Sequence, residues 1–562
     1  MHRIQVGDSL LATHTRLCWE QRLEDYLKAA GQSRPFVVAN LLWEQDWLPF
    51  ERRYAATGRA PYAPRQMMGL ILYGIMQGIH SLRELEQLAR LDLGCMWVTG
   101  GIAPDHANIG RFIVLHEDSL SGDFFESLTR AILKASGSSG ARLSGDGTVI
   151  EAACSHYKLL KEEAVRSCAE ASRKALEGAP DDPALQQKQQ KSEQCLEIFE
   201  ERKAARKRRG KDSETLCISA SEPEAMVQRL KRSRGFGASY KPSVLANESR
   251  IITAHALDAS SETQVIAPML DQSARVTGAL PDEVLLNAGY FDDGVIEATL
   301  TRDVSLLCPE GKWPAKPREE GLFHKSAFDY HPSTDTYRCP AGQTLFWLSG
   351  SSATPRTREY RLYGGASCDG CVLRAKCTKA AEGRCIKRYP EDEARDALRQ
   401  VMKHPQARRI FSQRKGIVEP VFSHLRSQQG LNRFRRRGLK AVKREFALHV
   451  LAYNLSRAVA LLWVALSAFL LTALSTVWHR LESTERHFDE RVHKPIKTRR
   501  IALSLLSMLG VMCNSDKTVL RQHLKGGRFA LMKHLPAFIL DICRYDEKWM
   551  RTWILHYLGK LR

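Results

Sequence analysis

The sequence predicts a mixed α/β chain: a helical N-terminal domain, a sheet-centred core with two long insertions, and a helical C-terminal tail. Three observations predict it. Residues 64–100, "PRQMMGLILYGIMQGIHSLRELEQLARLDLGCMWVTG", place apolar residues at helical spacing. From residue 141 short β-like runs replace that pattern. Beyond residue 395 the chain becomes basic and helical, then strongly apolar. At 562 residues there is room for several domains, each with its own core.

The predicted divisions follow in order. Residues 1–135 read as helical, with a break near Gly78–Ser81. Arg83, Arg90 and Arg111 on these helices are candidates for meeting a nucleic-acid backbone, although scattered helix arginines are usually solvated. Residues 140–460 form the core. "RLSGDGTVIEAAC", "RIITAHALD", "EVLLNAGYF" and "DVSLLC" read as strands, and "DGVIEATLTR" as a helix between the last two. One insertion, about 155–235, is polar and contains "ALQQKQQKSEQCLEIFEERKAARKRRGK", a charged helix in an expected helical hairpin. A second, about 308–390, carries a cysteine cluster. The tail, 461–562, is helical, and within the apolar stretch Ala458–Leu474 a buried helix is favoured over a membrane span, being at the lower length limit for spanning.

Composition restricts function. Hydrophobic content of 43% with 26% charged residues belongs to a soluble globular protein. The net charge of +21 is concentrated: residues 401–460 hold 14 Lys/Arg against 2 Asp/Glu, which points to a polyanionic partner. No signal-peptide pattern opens the chain, and 14 cysteines over this length suggest reduced thiols in the cytoplasm. Clustered cysteines then read as metal ligands.

Two acids stand out. Asp146 lies on a short strand between two glycines, where backbone can approach a phosphate or metal closely. Alone, Gly-Asp-Gly is an ordinary turn. Glu151, five residues on, faces the other side of a straight strand and is discounted. Glu419 lies in "SQRKGIVEPVFSHLRSQQGLNRFRRRGLKAVKREFALHVLAYNLSR", where Lys415, Glu419, Phe422 and Arg426 fall on one helical face. Pro420 is expected to put the helix start near Glu419, since proline suits a first turn. In the second insertion, Cys368 and Cys371 have C-x-x-C spacing, and Cys377 and Cys339 complete four candidate zinc ligands, with Cys308 and Cys385 as spares.

With these residues placed, the chain resembles the DDE transposases of bacterial insertion sequences over about residues 15–460. "GRAPYAPRQMMGLILYGIMQGIHSLRELEQ" with "PDHANIGRF" is similar to their helical N-terminal domain. "DGTVIEA", "NAGYF" and "RKGIVEPVFSHLR" through "AYNLSR" resemble the three motifs around the catalytic acids. The resemblance implies a ribonuclease-H-like core, with Asp146 on the first strand, position 287 just after the fourth, and Glu419 on a late helix. It implies metal-dependent cleavage and strand transfer on double-stranded DNA with Mg²⁺ or Mn²⁺, a structural Zn²⁺ at the cysteines, and a homodimer that synapses two ends. It also implies DNA contacts by Arg414, Lys415, Arg426, Arg433, Arg435, Arg436, Arg437 and Lys440. The family's lysine in the third motif is replaced by Arg426, which keeps charge but changes geometry.

One departure matters most. Where the family carries a second Asp, this chain has Asn287, so one negative charge is missing from a site built for dications. Losing one catalytic group costs roughly 10²–10⁴ in rate, and an activity loss of that order or greater is expected. Asp292 or Asp293 is a conceivable substitute after a local shift. The readings are therefore a transposase with impaired catalysis and, alternatively, an inactive relative that binds transposon ends and represses transposition. A zinc-dependent transcription regulator does not account for Asp146 and Glu419 in matching contexts.

Overall fold

The computed structural model describes residues 22–485, apart from short internal stretches such as 231–234, 312–320 and 354–357; of the last helix beyond Trp463 it describes the backbone alone. The first 21 residues and the tail beyond 485 lie outside the described residues.

The regular elements described between residues 22 and 136 are all helices. Pro64–Met76 is buried on nearly every side, and Leu82–Leu91 follows after a break at Gln77–Ser81. Gly78 sits at φ +80° with the Gln428 carbonyl 2.8 Å from where a Cβ would stand. A side chain there would strain the turn and push the two segments apart.

The core sheet is built from β1 (Arg142–Gly147), β2 (Ile150–Glu151), β5 (Met226–Arg229), β6 (Phe236–Asn247), β7 (Ile252–Asp258), β8 (Glu283–Leu286) and β9 (Ser305–Leu307), while β3 (Leu159–Leu160) and β4 (Ile218–Ser219) pair separately. β1 lies between β6, antiparallel, and β8, parallel; β7 flanks β6 antiparallel and β9 flanks β8 parallel. The long β6 serves twice: its C-terminal half pairs with β1 and β7, its N-terminal half with β2 and β5.

Successive residues of the sheet alternate between two helical layers. Val244, Ala246 and Ile252 join the core shared with Asp123–Ser136, Arg414–Ser427 and the last helix. Leu143, Leu245 and Leu286 join the core made with Ile266–Thr277, Asp293–Leu300 and Asp392–Lys403. That alternation is the period of two that sets side-chain direction on a strand.

The last helix, Leu439–Glu485, runs unbroken through residue 460, where the sequence suggested a boundary between core and tail. It contains no glycine or proline to end it. Its Leu439–Trp463 portion has mean hydropathy 1.3 and is long enough to cross a membrane, yet 67% of that window is buried within the protein. The apolarity serves the core. Asn454 shows how: its Oδ1 accepts the Ile252 N–H at 2.9 Å and its Nδ2 donates to the Ile252 carbonyl at 2.8 Å. One buried amide thus satisfies both backbone groups on the outer edge of β7.

The insertions occupy defined places. Glu162–Gly178 and Pro183–Arg208 form a helical hairpin with a small core of Val165, Cys195, Phe199, Leu216 and Ile218. The cysteine-bearing insertion folds as a second sheet of β10 (Asp329–His331), β11 (Thr336–Arg338), β12 (Thr344–Ser351), β13 (Tyr360–Gly364) and β14 (Ile386–Arg388), antiparallel throughout.

Candidate active site and nucleic-acid interface

β1 and β8 run side by side in register Gly145↔Leu286, so Asp146 and Asn287 emerge together at the C-terminal ends of the two strands. Asn287 Nδ2 donates to Asp146 Oδ1 at 2.6 Å, and Asn287 Oδ1 accepts the Gly289 N–H at 2.7 Å, capping the short turn Ala288–Tyr290. The partners fix the amide's orientation, because a carboxylate only accepts and a backbone N–H only donates. Asp146 Oδ1 also accepts the Gly147 N–H at 2.9 Å. On its other side Arg414 Nη1 stands 3.6 Å from Asp146 Oδ2 and donates to the Gly145 carbonyl at 3.1 Å.

Side chains pack closely against both flanking glycines and would have to move to admit a Cβ. A Cβ at Gly145 would meet Leu286 Cδ2 at 2.4 Å and Leu245 Cδ2 at 2.8 Å. A Cβ at Gly147 would meet the Glu262 carboxyl carbon at 2.8 Å. Glu262, in the loop after β7, therefore packs on the backbone next to Asp146, and Lys241 Nζ lies 3.6 Å from its Oε1. Behind them Tyr290 is fully buried; burial first, and then the Glu262 charge, hold its hydroxyl well above the ordinary tyrosine value. The Cys308 thiol donates to the Asn287 carbonyl at 3.2 Å, and burial pushes its pKa up to about 12. Cys308 thus belongs to this site and not to the cysteine cluster.

The helix Arg414–Ser427 packs along β1 and corrects the expected start near Glu419. Pro420 sits inside it, without the N–H that would bond the Gly416 carbonyl. Arg250 Nε donates to that carbonyl at 3.1 Å instead, from the β6–β7 turn where Arg250 itself takes φ +61°. A long-range bond replaces the missing helical one. Arg414 anchors the helix start, and Arg426 Nη2 anchors its end to Thr148 Oγ1 at 2.6 Å and the Val149 carbonyl at 2.8 Å. Glu419 lies between these anchors, exposed, and about two turns before Arg426 on the same face.

Asp146 and Glu419 offer the carboxylate oxygens a hard dication needs. Asn287 as oriented does not: its oxygen is engaged by Gly289 and its N–H₂ group faces Asp146. Among the described residues no group of three or more His, Cys, Asp or Glu is placed to hold a metal ion. Asp292 and Asp293 are engaged elsewhere in this arrangement. Asp292 Oδ1 caps Asp293–Leu300 through the Gly294 N–H at 3.0 Å, and Asp293 pairs with Arg395.

The basic residues divide by position. Arg414 is 7% exposed and is turned toward Asp146 inside the site. Arg433 donates to the Ala152 and Cys154 carbonyls at 3.0 and 2.6 Å, pinning the loop to the chain just after β2, whose Glu151 is buried. Arg436 is partly buried, and burial lowers its pKa. Lys415, Arg435, Arg437 and Lys440 are exposed, with Arg437 Nε donating to the Ala153 carbonyl at 3.1 Å and Lys440 pairing with Glu117 at 2.5 Å. An open groove lined by Tyr62, His106, Asn108, Arg111 and Arg436 joins this loop to the N-terminal helices. Arg83 is exposed on those helices, whereas Arg90 pairs with Glu86 at 2.9 Å.

Cys339, Cys368, Cys371 and Cys377 line one small cavity with Phe323 and Arg384, at one end of the second sheet. Burial raises the Cys377 thiol, Arg384 lowers it, and the other three thiols raise it further. Gln343 N–H points at Cys339 Sγ at 3.2 Å. The four cysteines share that cavity, although among the described residues no three His, Cys, Asp or Glu are placed as a ready ligand set. Cys385 is exposed and apart from that cavity's lining.

Fold and site together define an α/β protein with a carboxylate on its central strand, an amide beside it and a loop of arginines nearby. Two family profiles match the chain: a transposase domain (DUF772) over residues 33–114, and a transposase DDE domain over residues 338–459. The second spans the cysteine cluster and the Glu419 helix. Over those two segments the chain is similar to transposases, and the second match is to their DDE domain. Among solved structures, a piggyBac transposase synaptic complex with hairpin DNA aligns with 9% identity over 83% of this chain and 87% of that one, at a TM-score of 0.28, too low to bear on the fold. No curated protein matches the chain in sequence.

Proposed function

We propose that the chain acts on transposon ends as a DNA transposase whose core is ribonuclease-H-like, and that it is impaired at its second acidic position. The observation that supports this reading is the placement of Asp146 on β1 beside Asn287 at the end of β8, with the Glu419 helix packed along β1. A bound Mg²⁺ or Mn²⁺ would activate the attacking water or 3′-hydroxyl and stabilise the leaving oxygen. Asp146 and Glu419 are the residues that would hold it. Lys415, Arg435 and Arg437 offer exposed positive charge to the DNA backbone, while Arg414 and Arg426 fix the helix that carries Glu419. Asn287 holds Asp146 through a hydrogen bond and contributes no negative charge.

That bond also favours a second reading, an inactive relative that occupies ends and represses transposition. Either form would work on chromosomal DNA in the cytoplasm, as a homodimer where two ends are held together. Duplex carrying the element's terminal repeats separates the readings. We expect tight binding with weak Mg²⁺- or Mn²⁺-dependent cleavage by the wild type, and a gain of about 10²-fold or more for Asn287→Asp. Robust and equal cleavage by both would overturn the impairment; binding without cleavage by either would favour the repressor. The four cysteines that share one cavity are further proposed to hold a structural Zn²⁺, closing around it as thiolates.

A further inference from the structure

The helical-hairpin insertion and the acids that follow it have no place in the reaction so far. We infer that this insertion is a positioning device: through Glu222 and Glu224 it holds the backbone of the arginine loop 435–439 in its DNA-facing conformation. The inference rests on the reading that this loop contacts DNA.

Four backbone N–H groups of the loop donate to carboxylates. Arg435 and Arg436 donate to Glu445, at 3.0 and 2.9 Å. Gly438 donates to Glu222 Oε2 at 3.0 Å, and Leu439, the first residue of the last helix, donates to Glu224 Oε2 at 2.6 Å. A carboxylate at a helix start satisfies an orphan N–H and complements the helix dipole. Glu445 is local to the loop, but Glu222 and Glu224 come from the segment just beyond the hairpin. Arg202, on the hairpin's second helix, fixes that segment by donating to the Ala225 and Glu224 carbonyls at 3.1 and 2.8 Å. Tyr240 of β6 donates to Glu222 Oε2 at 2.8 Å, so the acid is tied to the core as well. Glu222 is 1% exposed and both bonds fall on its Oε2, which offsets part of the cost of burying the acid, while Oε1 has no hydrogen-bond partner. The connection runs from hairpin to acids to loop. It holds in one conformation a run of arginines that would otherwise repel one another.

Electrostatics alone makes the opposite prediction, since acids beside a DNA-binding loop weaken binding. The test uses the full chain, random-sequence duplex DNA and a salt series. Glu222→Ala with Glu224→Ala removes two negative charges. Positioning predicts that it nevertheless binds at least about threefold more weakly, with the slope of log K against log salt smaller by about 0.9 for each phosphate no longer neutralised. Glu222→Gln keeps an acceptor oxygen for both donors and is expected to bind like the wild type. Tighter or equal binding by the double variant with an unchanged slope overturns the inference. Arg435→Ala with Arg437→Ala is the separate control: unchanged binding there would sink the loop's DNA role instead. Should the double variant fail to fold, Arg202→Leu is followed by hydrogen exchange at residues 435–439. Faster exchange is expected, and wild-type protection would overturn the proposal.

Discussion

Replacing Asn287 by Asp puts a carboxylate oxygen where the amide nitrogen now lies, 2.6 Å from Asp146 Oδ1. Attraction becomes repulsion. Two unit charges about 4 Å apart at an effective dielectric of about 20 repel by about 4 kcal/mol, which corresponds to about 3 pKa units. Arg414, 3.6 Å from the other Asp146 oxygen, offsets part of this. Without metal the two carboxylates of the variant would share a proton, and the second ionisation would be raised above the ordinary carboxylate range. A pKa raised on folding contributes stability at low pH that is lost as pH rises through the folded value. Metal-free Asn287→Asp is therefore expected to match the wild type near about pH 4 and to melt lower at about pH 8. A dication between the two carboxylates reverses the sign. Mn²⁺ at about 100 times its dissociation constant stabilises the folded state by about 2.7 kcal/mol. Thermal unfolding with and without Mn²⁺ at the two pH values checks this. If Asn287→Asp melts like the wild type at about pH 8 and ignores Mn²⁺, the repulsion argument is wrong.

Other outcomes follow from the same structure. His116, His255 and His449 are buried, and burial lowers their pKa to about 4, about 4 and about 3. Depressed histidines favour the folded state above about pH 6.5 and lose that contribution as pH falls, so stability is expected to drop by up to about 4 kcal/mol per pH unit between about pH 6 and pH 4, read by denaturant titration. Arg250→Ala leaves the Gly416 carbonyl without its donor and is expected to cost about 1 kcal/mol; in a Pro420→Ala background the cost should shrink, as a double-mutant cycle would show. Cys371→Ser is expected to lower zinc content by elemental analysis and to loosen the second sheet by hydrogen exchange. A wild type with less than about a third of a zinc per chain would refute the ligand set.

Much of the sheet was legible because its strands are short, apolar and bounded by turns. "RIITAHALD", "EVLLNAGYF" and "DVSLLC" correspond to β7, β8 and β9, and the helix between the last two lies where periodicity puts it. β6 was not legible. "FGASYKPSVLAN" carries Gly237, Pro242 and two serines, and is buried along almost its whole length, so no alternation betrays it. The sheet β10–β14 was hidden for a different reason: its strands are mostly three residues long and partly exposed, too short to show an alternation. At the site, Asp146 and Asn287 could be paired by motif. The roles of Glu262, Arg414 and Pro420 could not, because each depends on a neighbour more than 100 residues away.

The hydrogen bonds at Asn287 bear on what kind of change this residue represents. An amide dropped into a site shaped for a metal-bridged carboxylate pair leaves its nitrogen facing a cation or nothing. Here the nitrogen has an acceptor, the oxygen has a donor, and Arg414 balances the one remaining charge. The Asp146–Asn287–Arg414 cluster is neutral and satisfied without any ion, so it needs no Mg²⁺ or Mn²⁺ to hold it together. DNA binding by the wild type is accordingly expected to be the same with and without added Mg²⁺ or Mn²⁺ across the salt series, while Asn287→Asp should gain a dependence on these ions in both stability and end binding. A wild type whose affinity for duplex falls when Mg²⁺ and Mn²⁺ are left out would show that the cluster is not self-sufficient, and that the amide turns its oxygen, not its nitrogen, toward Asp146.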